Sequence, residues 1–448
     1  MTSPTKGGDP LEPPPRAQEH TGARVLVSVV IPVYNTRPYL AECLDSVLAQ
    51  DLSPGELEVV AVDDGSTDGS GELLDAYAER HRNLSVIHQA NSGWPGRPRN
   101  VGRAASRGEY VFFADSDDCL APDALRAMYD FAVKHGSDVV VPKVVPLDGP
   151  ARPSSLWRRT RVDAELPLVI QTLGPWKLFR REYLDEQDIW FPEGKRRLED
   201  GIFVTRAYVT ARRVSVLADD GYYRKRDQPD QGNLSSTPVD PEDFASSIAA
   251  MIEIVRRHCP DEAVADAVVT TLYRRKALKW FLPDRFPRYR PEVRETWIRV
   301  IRNLQDTHVP PRLDALLPLV PRTRSVLVRR GEVAALVSLG AAQHAGRPLE
   351  AVLVGRSLEL RVPGLATRPA LTIAPGFRLV PAEASPGVLT AAAVRSRAVA
   401  GVVRLLRPVV RRTRWGRRFW AQVRRMLRKP RNWQTWPRGG KRQYLRLR

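Results

Sequence analysis

Cysteine is nearly absent: Cys43, Cys119 and Cys259 are the only three in 448 residues, and they lie far apart. So few and so scattered, they exclude a disulfide framework and offer no cysteine-based metal spacing, which fits a reducing compartment. Long apolar runs are also missing. The best, VLVSVVIPVY, is interrupted by Pro32 and falls short of the ~18–20 residues needed to span a bilayer. Residues 1–24 carry Pro, Gly and polar side chains without an apolar centre, so they read as a disordered leader rather than a secretory signal. A cytoplasmic chain is expected. No internal repeat points to a solenoid. Acidic residues stop at Glu383; the whole net charge of +19 lies beyond it, and the remainder is neutral. Such a segregated basic block points to a polyanion or an anionic surface and says little about the body.

What is present is a regular alternation. VSVVIPVYN is a buried-strand pattern, and RPYLAECLDSVLAQ after it has the three- and four-residue spacing of an amphipathic helix. LEVVAVDDGSTDGSGELLDAYAERH repeats the arrangement, LSVIHQ adds a strand, RNVGRAASRG a helix, and EYVFFADSDD a further strand. This predicts an α/β fold with a mostly parallel sheet and helices on both faces. Residues 241–322 read as helical, and residues 323–393, with runs such as RSVLVRR, LEAVLVG and SLELRV, read as a small all-β module. Residues 394–448 form an Arg- and Trp-rich tail whose amphipathic stretches suit an anionic bilayer interface, placing the chain at the inner face of the membrane; a solvated basic tail is the alternative. No nucleic-acid reading module is recognised.

Three acidic clusters carry the chemistry. Asp115 and Asp117 form a D-x-D group where VFFA ends, and alternate carboxylates there suit Mg²⁺ or Mn²⁺ with diphosphate oxygens. By itself such a group is as readily a turn, and Asp118 is available as a helix cap. Asp63 and Asp64 end LEVVAV; a carboxylate there can accept a nucleobase imide N–H, while Gly65 to Asp68 are explained by a turn and cap. Glu199 and Asp200 in RRLEDGIF offer either a general base beside a sugar hydroxyl or a helix cap. In open α/β sheets ligands bind beyond the carboxyl ends of the strands, which is where the first two clusters fall.

Taken together, VSVVIPVYN, VVAVDDGSTDGS, RNVGRAASRGEYVFFADSDD, KLFRREYL and RRLEDGIF resemble, in order and spacing, the inverting glycosyltransferase family 2 enzymes with a GT-A fold. The resemblance covers roughly residues 25–240. It looks nearest to bacterial enzymes that build or decorate cell-surface polymers, including wall-teichoic-acid N-acetylglucosamine transferases, which also carry helical and β-sandwich modules. It implies that Pro32 and Tyr34 lie against the nucleobase of a UDP-sugar, with Asp64 on the uracil imide and Asp63 beside it. Arg99 and Asn100 belong to the donor pocket by the same resemblance. Asp115 serves the donor ribose and metal water shell, and Asp117 ligates Mn²⁺ or Mg²⁺. Asp200 is the base, supported by Glu199. A flexible loop is implied over the diphosphate, here YYRKRDQPDQGNLSS, in which Arg224, Lys225, Arg226 and Ser235 can close on phosphate oxygens. The acceptor implied is a polysaccharide, a teichoic-acid-like polymer or a lipid-linked glycan, and a homo-oligomer through the C-terminal module is a further implication. Two other readings stay open: a nucleotide-sugar-binding scaffold without turnover, and a nucleotidyltransferase on a similar sheet. The second lacks its Gly-rich, Arg-bearing loop after the first strand.

Overall fold

Seven residues of nearly unbroken β-branched and apolar character, VSVVIPV, make β1 (Val27–Val33), and six of them are buried. The computed structural model describes residues 24–150, 154–226 and 238–345, together with the backbone of five strands further on. The leader, Ser235 and nearly all of the basic tail lie outside the described residues. Two units divide the chain. The first takes residues up to Val162 with Trp176–Asp188 and Arg213–Asp227; the second takes Asp163–Pro175, Ile189–Arg212 and the chain from Gln228 onward.

In chain order β1 is followed by α1 (Arg37–Leu48), β2 (Leu57–Asp63), α2 (Ser70–Ala78), β3 (Leu84–His88), α3 (Gly96–Ala105) and β4 (Tyr110–Phe113). Next come β5 (Cys119–Leu120), α4 (Ala124–His135), β6 (Val139–Pro142) and β7 (Val144–Pro146). After α5 (Leu166–Val169), which belongs to the second unit, the first resumes with β8 (Leu178–Arg180) and α6 (Arg181–Glu186). It resumes again after α7 (Glu199–Thr210) with β9 (Val214–Leu217) and β10 (Tyr223–Lys225).

The main sheet has the order β3-β2-β1-β4-β8-β6-β9. Strands β1 to β4 pair in parallel, and β8 runs antiparallel to both β4 and β6. Because β1 lies between β2 and β4, chain direction across the sheet reverses there, and the carboxyl ends of all three strands meet at the switch point where such folds bind ligands. β4 is buried at every position, and the carboxylates that follow Ala114 lie between it and the buried β5. A second, three-stranded sheet, β5-β10-β7, joins the chain after the D-x-D to the chain around Tyr223.

The second unit is helical: α8 (Pro241–His258), α9 (Glu262–Leu272), α10 (Pro291–His308), α11 (Leu319–Arg330) and α12 (Val333–His344). Asp240 caps α8, accepting from the Glu242 N–H at 2.8 Å, and Pro241 occupies the first turn where its missing N–H costs nothing. Phe244, Trp280 and Trp297 pack as a buried aromatic cluster. One reading is corrected here. RSVLVRR is not a strand but the last part of α11, so the helices run well past residue 322. Its buried residues Arg324, Ser325, Leu327 and Val328 recur at three and four, the period of a helix face. Beyond it the backbone forms β11 (Leu349–Val354), β12 (Ser357–Val362), β13 (Leu371–Ala374), β14 (Phe377–Pro381) and β15 (Leu445–Leu447). Among the described residues no helix is long and apolar enough to cross a membrane.

Candidate active site

At the end of β2 the two aspartates face different work. Asp63 accepts from the Ser66 N–H at 3.0 Å and pairs with His88 Nδ1 at 3.0 Å, while His88 Nε2 meets Asp75 at 3.0 Å. Burial pushes the Asp63 carboxyl up, but Ser66 and His88 outweigh it and hold the group below its usual range. Asp63 is thereby a buttress of the β2–α2 turn. Asp64 is buried, and both of its oxygens are engaged: Gln89 Nε2 at 2.5 Å, the Ser92 N–H at 3.0 and 3.1 Å, and Ser92 Oγ at 2.8 Å. Three donor groups thus fix the Asp64 carboxylate against the chain after β3. Gln89 and Ser92, in HQANSG after β3, are partners that the motif reading did not name. Pro32 is half-buried in β1, and Tyr34 just beyond it is exposed. Asn35, at φ 51°, accepts the Thr67 N–H at 2.8 Å and so ties the β1–α1 loop to the β2–α2 turn.

The D-x-D after β4 is organised from several directions. Arg99, buried on α3, donates to Asp115 Oδ1 at 3.0 Å, which selects it over its neighbours: Arg103 pairs with Asp185 at 2.7 Å and Arg97 is exposed. Asn100 is buried at the next position of α3. Trp176 Nε1 donates to Asp115 Oδ2 at 2.6 Å, and the Tyr223 hydroxyl accepts from the Asp115 N–H at 3.1 Å. Burial raises the Asp115 carboxyl, but Arg99 and then Lys225 overcome this and hold it below its ordinary value. Asp117 moves the other way, pushed up by burial and by the charge of Asp115.

Asp118 is no helix cap. It accepts from the Tyr223 hydroxyl at 2.7 Å and from the Arg226 N–H at 2.7 Å, and α4 begins only at Ala124. Burial pushes its carboxyl up to about 7, with Lys225 opposing and Asp115 and Asp117 adding to the rise. Of the basic segment, Arg224 is exposed, whereas Arg226 donates to the Asp117 carbonyl at 3.0 Å, pairs with Glu42 and lies over the Tyr39 ring. Trp176 and Tyr223 carry no signal of this role in the sequence, and Asp118 offered only a helix cap. Their partners stand 61 to 108 residues away, too far for a local pattern.

One carboxylate oxygen from each of Asp115, Asp117 and Asp118 lies within 4.8 Å of the others. These are hard donors of the kind Mg²⁺ and Mn²⁺ take. The oxygens of Asp115 and Asp118 accept N–H and O–H donors that hold both carboxylates in place beside Asp117. That fits a metal held by carboxylates, waters and substrate phosphates rather than by a closed protein cage.

In the second unit, Glu199 and Asp200 open α7. Leu198 before them has φ 61°, a left-handed conformation rare for a branched side chain, and it turns the chain into the helix. Glu199 is buried, and Asp200 Oδ1 accepts from the Gly201 N–H at 2.6 Å. Carboxylates at this end are favoured by the helix dipole. A Cβ on Gly201 would stand 3.0 Å from the Met251 sulfur of α8, so the glycine lets α8 approach. Burial pulls the Lys276 ammonium below its usual range, with Asp200 as the strongest opposing charge.

Residues 28–219 match the family described as Glycosyl transferase family 2, and residues 241–340 match the Glycosyl transferase TarS linker domain. The chain is 30% identical to a solved structure, S. aureus TarS 1–349 in complex with UDP-GlcNAc, at a TM-score of 0.67, covering 75% of this chain and 97% of that one. The chain belongs to glycosyltransferase family 2. Its sheet is the GT-A fold expected from the motifs, and the linker match covers α8 to α11 and most of α12. Among curated relatives of this family 2 chain, the poly(ribitol-phosphate) beta-glucosyltransferase of Bacillus spizizenii is 37% identical over 242 residues, 53% of this chain and 38% of that protein. The poly(ribitol-phosphate) beta-N-acetylglucosaminyltransferase TarS of Staphylococcus aureus is 34% identical over 294 residues, 65% of this chain and 51% of that protein. The chain therefore spans about half or less of the length of these relatives.

Proposed function

We propose that this protein is an inverting glycosyltransferase that moves a sugar from a UDP-sugar to a hydroxyl of a poly(ribitol-phosphate)-type cell-wall polymer. The observation that carries the reading is the assembly at the β4 edge, where Arg99 and Trp176 fix Asp115 and one carboxylate oxygen from each of Asp115, Asp117 and Asp118 lies within 4.8 Å of the others, a donor set suited to a metal–diphosphate. The likeness to TarS with UDP-GlcNAc supports the donor, and the names of the relatives support the acceptor.

In this reading the β1 and β2 ends receive the nucleotide: Tyr34 and Pro32 offer a surface for the base, and Asp64 accepts its imide N–H, held in place by Gln89 and Ser92. Asp117 and Asp115 would hold Mn²⁺ or Mg²⁺, which when bound would neutralise charge on the diphosphate. Arg99 keeps Asp115 ionised and oriented. Arg224, Arg226 and Ser235 remain candidates for the phosphate oxygens, Ser235 lying outside the described residues. Asp200, with Glu199 beside it, takes the proton of the attacking hydroxyl. Direct attack on the anomeric carbon, on the face opposite the leaving diphosphate, inverts configuration without a covalent enzyme intermediate. The common UDP-sugars are α-linked, and the relatives are named as beta-transferases, which is the same stereochemical change.

The test is UDP release from a panel of UDP-sugars by the purified chain, with Mn²⁺ or Mg²⁺ and with chelator, in the presence and absence of poly(ribitol phosphate), beside Asp117→Ala. Metal-dependent release from one donor, stimulated by the polymer and lost in the variant, is expected. Turnover that is unaffected by chelator and by Asp117→Ala removes the metal assignment. A donor consumed only with a different acceptor removes the polymer assignment.

A further inference from the structure

Lys225, the last residue of β10, faces the acidic loop from a strand whose backbone is fixed on both sides, by β5 and by β7. Its ammonium lies 4.2 Å from the centre of the Trp176 ring and 3.8 Å from Asp118 Oδ2, whose side chain is wholly buried. Trp176 in turn stacks on Tyr223 at 5.2 Å and donates to Asp115, so one aromatic platform touches both the cation and the carboxylate loop. Three carboxylates this close, one buried and two half-buried, repel one another unless a cation stands among them. Arg99 serves Asp115, and Arg226 serves the Asp117 carbonyl and Glu42. Lys225 draws down the carboxyls of Asp115, Asp117 and Asp118 alike. Its charge is a compact point on a flexible stem, with a side chain 38% exposed, so it can leave where an arginine fork would be pinned.

We propose that Lys225 is a resident counter-cation of the acidic site, which competes with the divalent metal for the carboxylates and passes to the donor's diphosphate once the metal is bound. The inference rests on the metal reading of Asp115 and Asp117 given above. No bond to carbon or phosphorus changes in this step; one ammonium exchanges carboxylate oxygens for phosphate oxygens. It makes a prediction that damage to the site does not make, because the two ligands should respond with opposite signs. Removing the ammonium lifts a repulsion on the metal while removing a charge-assisted bond to the nucleotide.

The experiment uses the full chain and three proteins: wild type, Lys225→Met, which keeps an unbranched apolar stem for Trp176, and Lys225→Arg, which keeps the charge. Free Mn²⁺ is read by electron paramagnetic resonance without nucleotide, and UDP binding is then read calorimetrically at saturating Mn²⁺. Lys225→Met is expected to bind Mn²⁺ alone roughly tenfold more tightly than wild type and UDP roughly tenfold more weakly. Lys225→Arg, whose fork is harder to displace, is expected to bind Mn²⁺ no more tightly than wild type. If Lys225→Met loses its fold by circular dichroism, Lys225→Gln takes its place with the same expectation. Wild type that binds Mn²⁺ beside a variant that binds it no more tightly overturns the inference and leaves the metal reading standing. Wild type that binds no Mn²⁺ even with UDP present overturns both.

Discussion

The Tyr223 hydroxyl donates to Asp118 at 2.7 Å while accepting from the Asp115 N–H at 3.1 Å, so one buried phenol links the acidic loop to β10. The bond to Asp118 is buried and the one from Asp115 is part-buried. Tyr223→Phe leaves a buried carboxyl oxygen and a part-buried amide without this donor and acceptor, at a cost of ~1–3 kcal/mol for each unsatisfied group. The expected result is a lower urea midpoint with an unchanged m-value, together with weaker Mn²⁺ binding, since Asp117 is held between the two anchored residues. Full stability in the variant would mean that the loop is held by its other contacts alone.

Arg99 and Asp115 form a largely buried ion pair, and removing one side strands the other. Arg99→Met should destabilise the protein at neutral pH by on the order of 3 kcal/mol. In wild type the depressed Asp115 group contributes stability that is present above its unfolded value and is lost as pH falls through its folded value. In the variant the carboxyl rises instead, so acid relieves a stranded charge. The difference between the two proteins should therefore shrink from pH 7.5 to pH 5 in urea titrations. A gap constant across that range would show that Asp115 stays ionised in both proteins, held by Lys225 and Trp176 without Arg99.

How much of this was legible in the chain follows the range of each contact. The strands of the main sheet announce themselves because β-branched residues fill them and turn residues bound them, and the D-x-D was found because it sits where β4 ends. RSVLVRR misled because its composition favours a strand while its buried positions, Ser325 and Val328, follow a helix. Ser325 also hydrogen-bonds Tyr273 and Asp314, partners that composition does not reveal. Asp118 was mistaken for a cap because its real donors come from β10 and the residue just after it, more than a hundred residues on. Asp63 and Asp64 looked alike as neighbours, and only their separate partners, His88 for one and Ser92 for the other, show one to be a buttress.

His88 stands between Asp63 and Asp75, whose carboxylates raise its pKa above 6.5 by hydrogen bonding, Asp63 most of all. A raised histidine gives stability that is fully present below the unfolded value and is lost as pH rises through the folded one. The melting temperature should therefore fall as pH rises from about 6 to 8. His88→Gln should flatten that part of the profile. An equal slope in the variant would assign the pH dependence to other groups.

Gly102 lets α3 lie against the sheet. A Cβ there would overlap Val30 Cγ1 and stand 3.2 Å from Val62 Cγ2, both on buried strands. Gly102→Ala should cost ~1–3 kcal/mol by overpacking and push α3 outward, carrying Arg99, one turn earlier, away from Asp115. Val30→Ala makes room and should recover part of the loss, so the double variant should be less damaged than the sum of the singles. Strict additivity, read by urea denaturation, would show that the contact relaxes elsewhere.

Asp200→Asn separates binding from chemistry. Asparagine keeps the size of the side chain and an oxygen for the Gly201 N–H, so α7 should start as before. What it loses is the capacity to take a proton from the acceptor hydroxyl. The rate of sugar transfer should fall by roughly 10²–10⁴ while UDP-sugar affinity stays unchanged, because the nucleotide contacts assigned here come from the β1, β2 and β4 ends. Glu199→Gln, at a buried neighbour, should lower the rate less if that residue only supports the base. Should Glu199→Gln be the more damaging of the two, with the fold intact, the base is Glu199 and Asp200 is reduced to holding the first turn of α7.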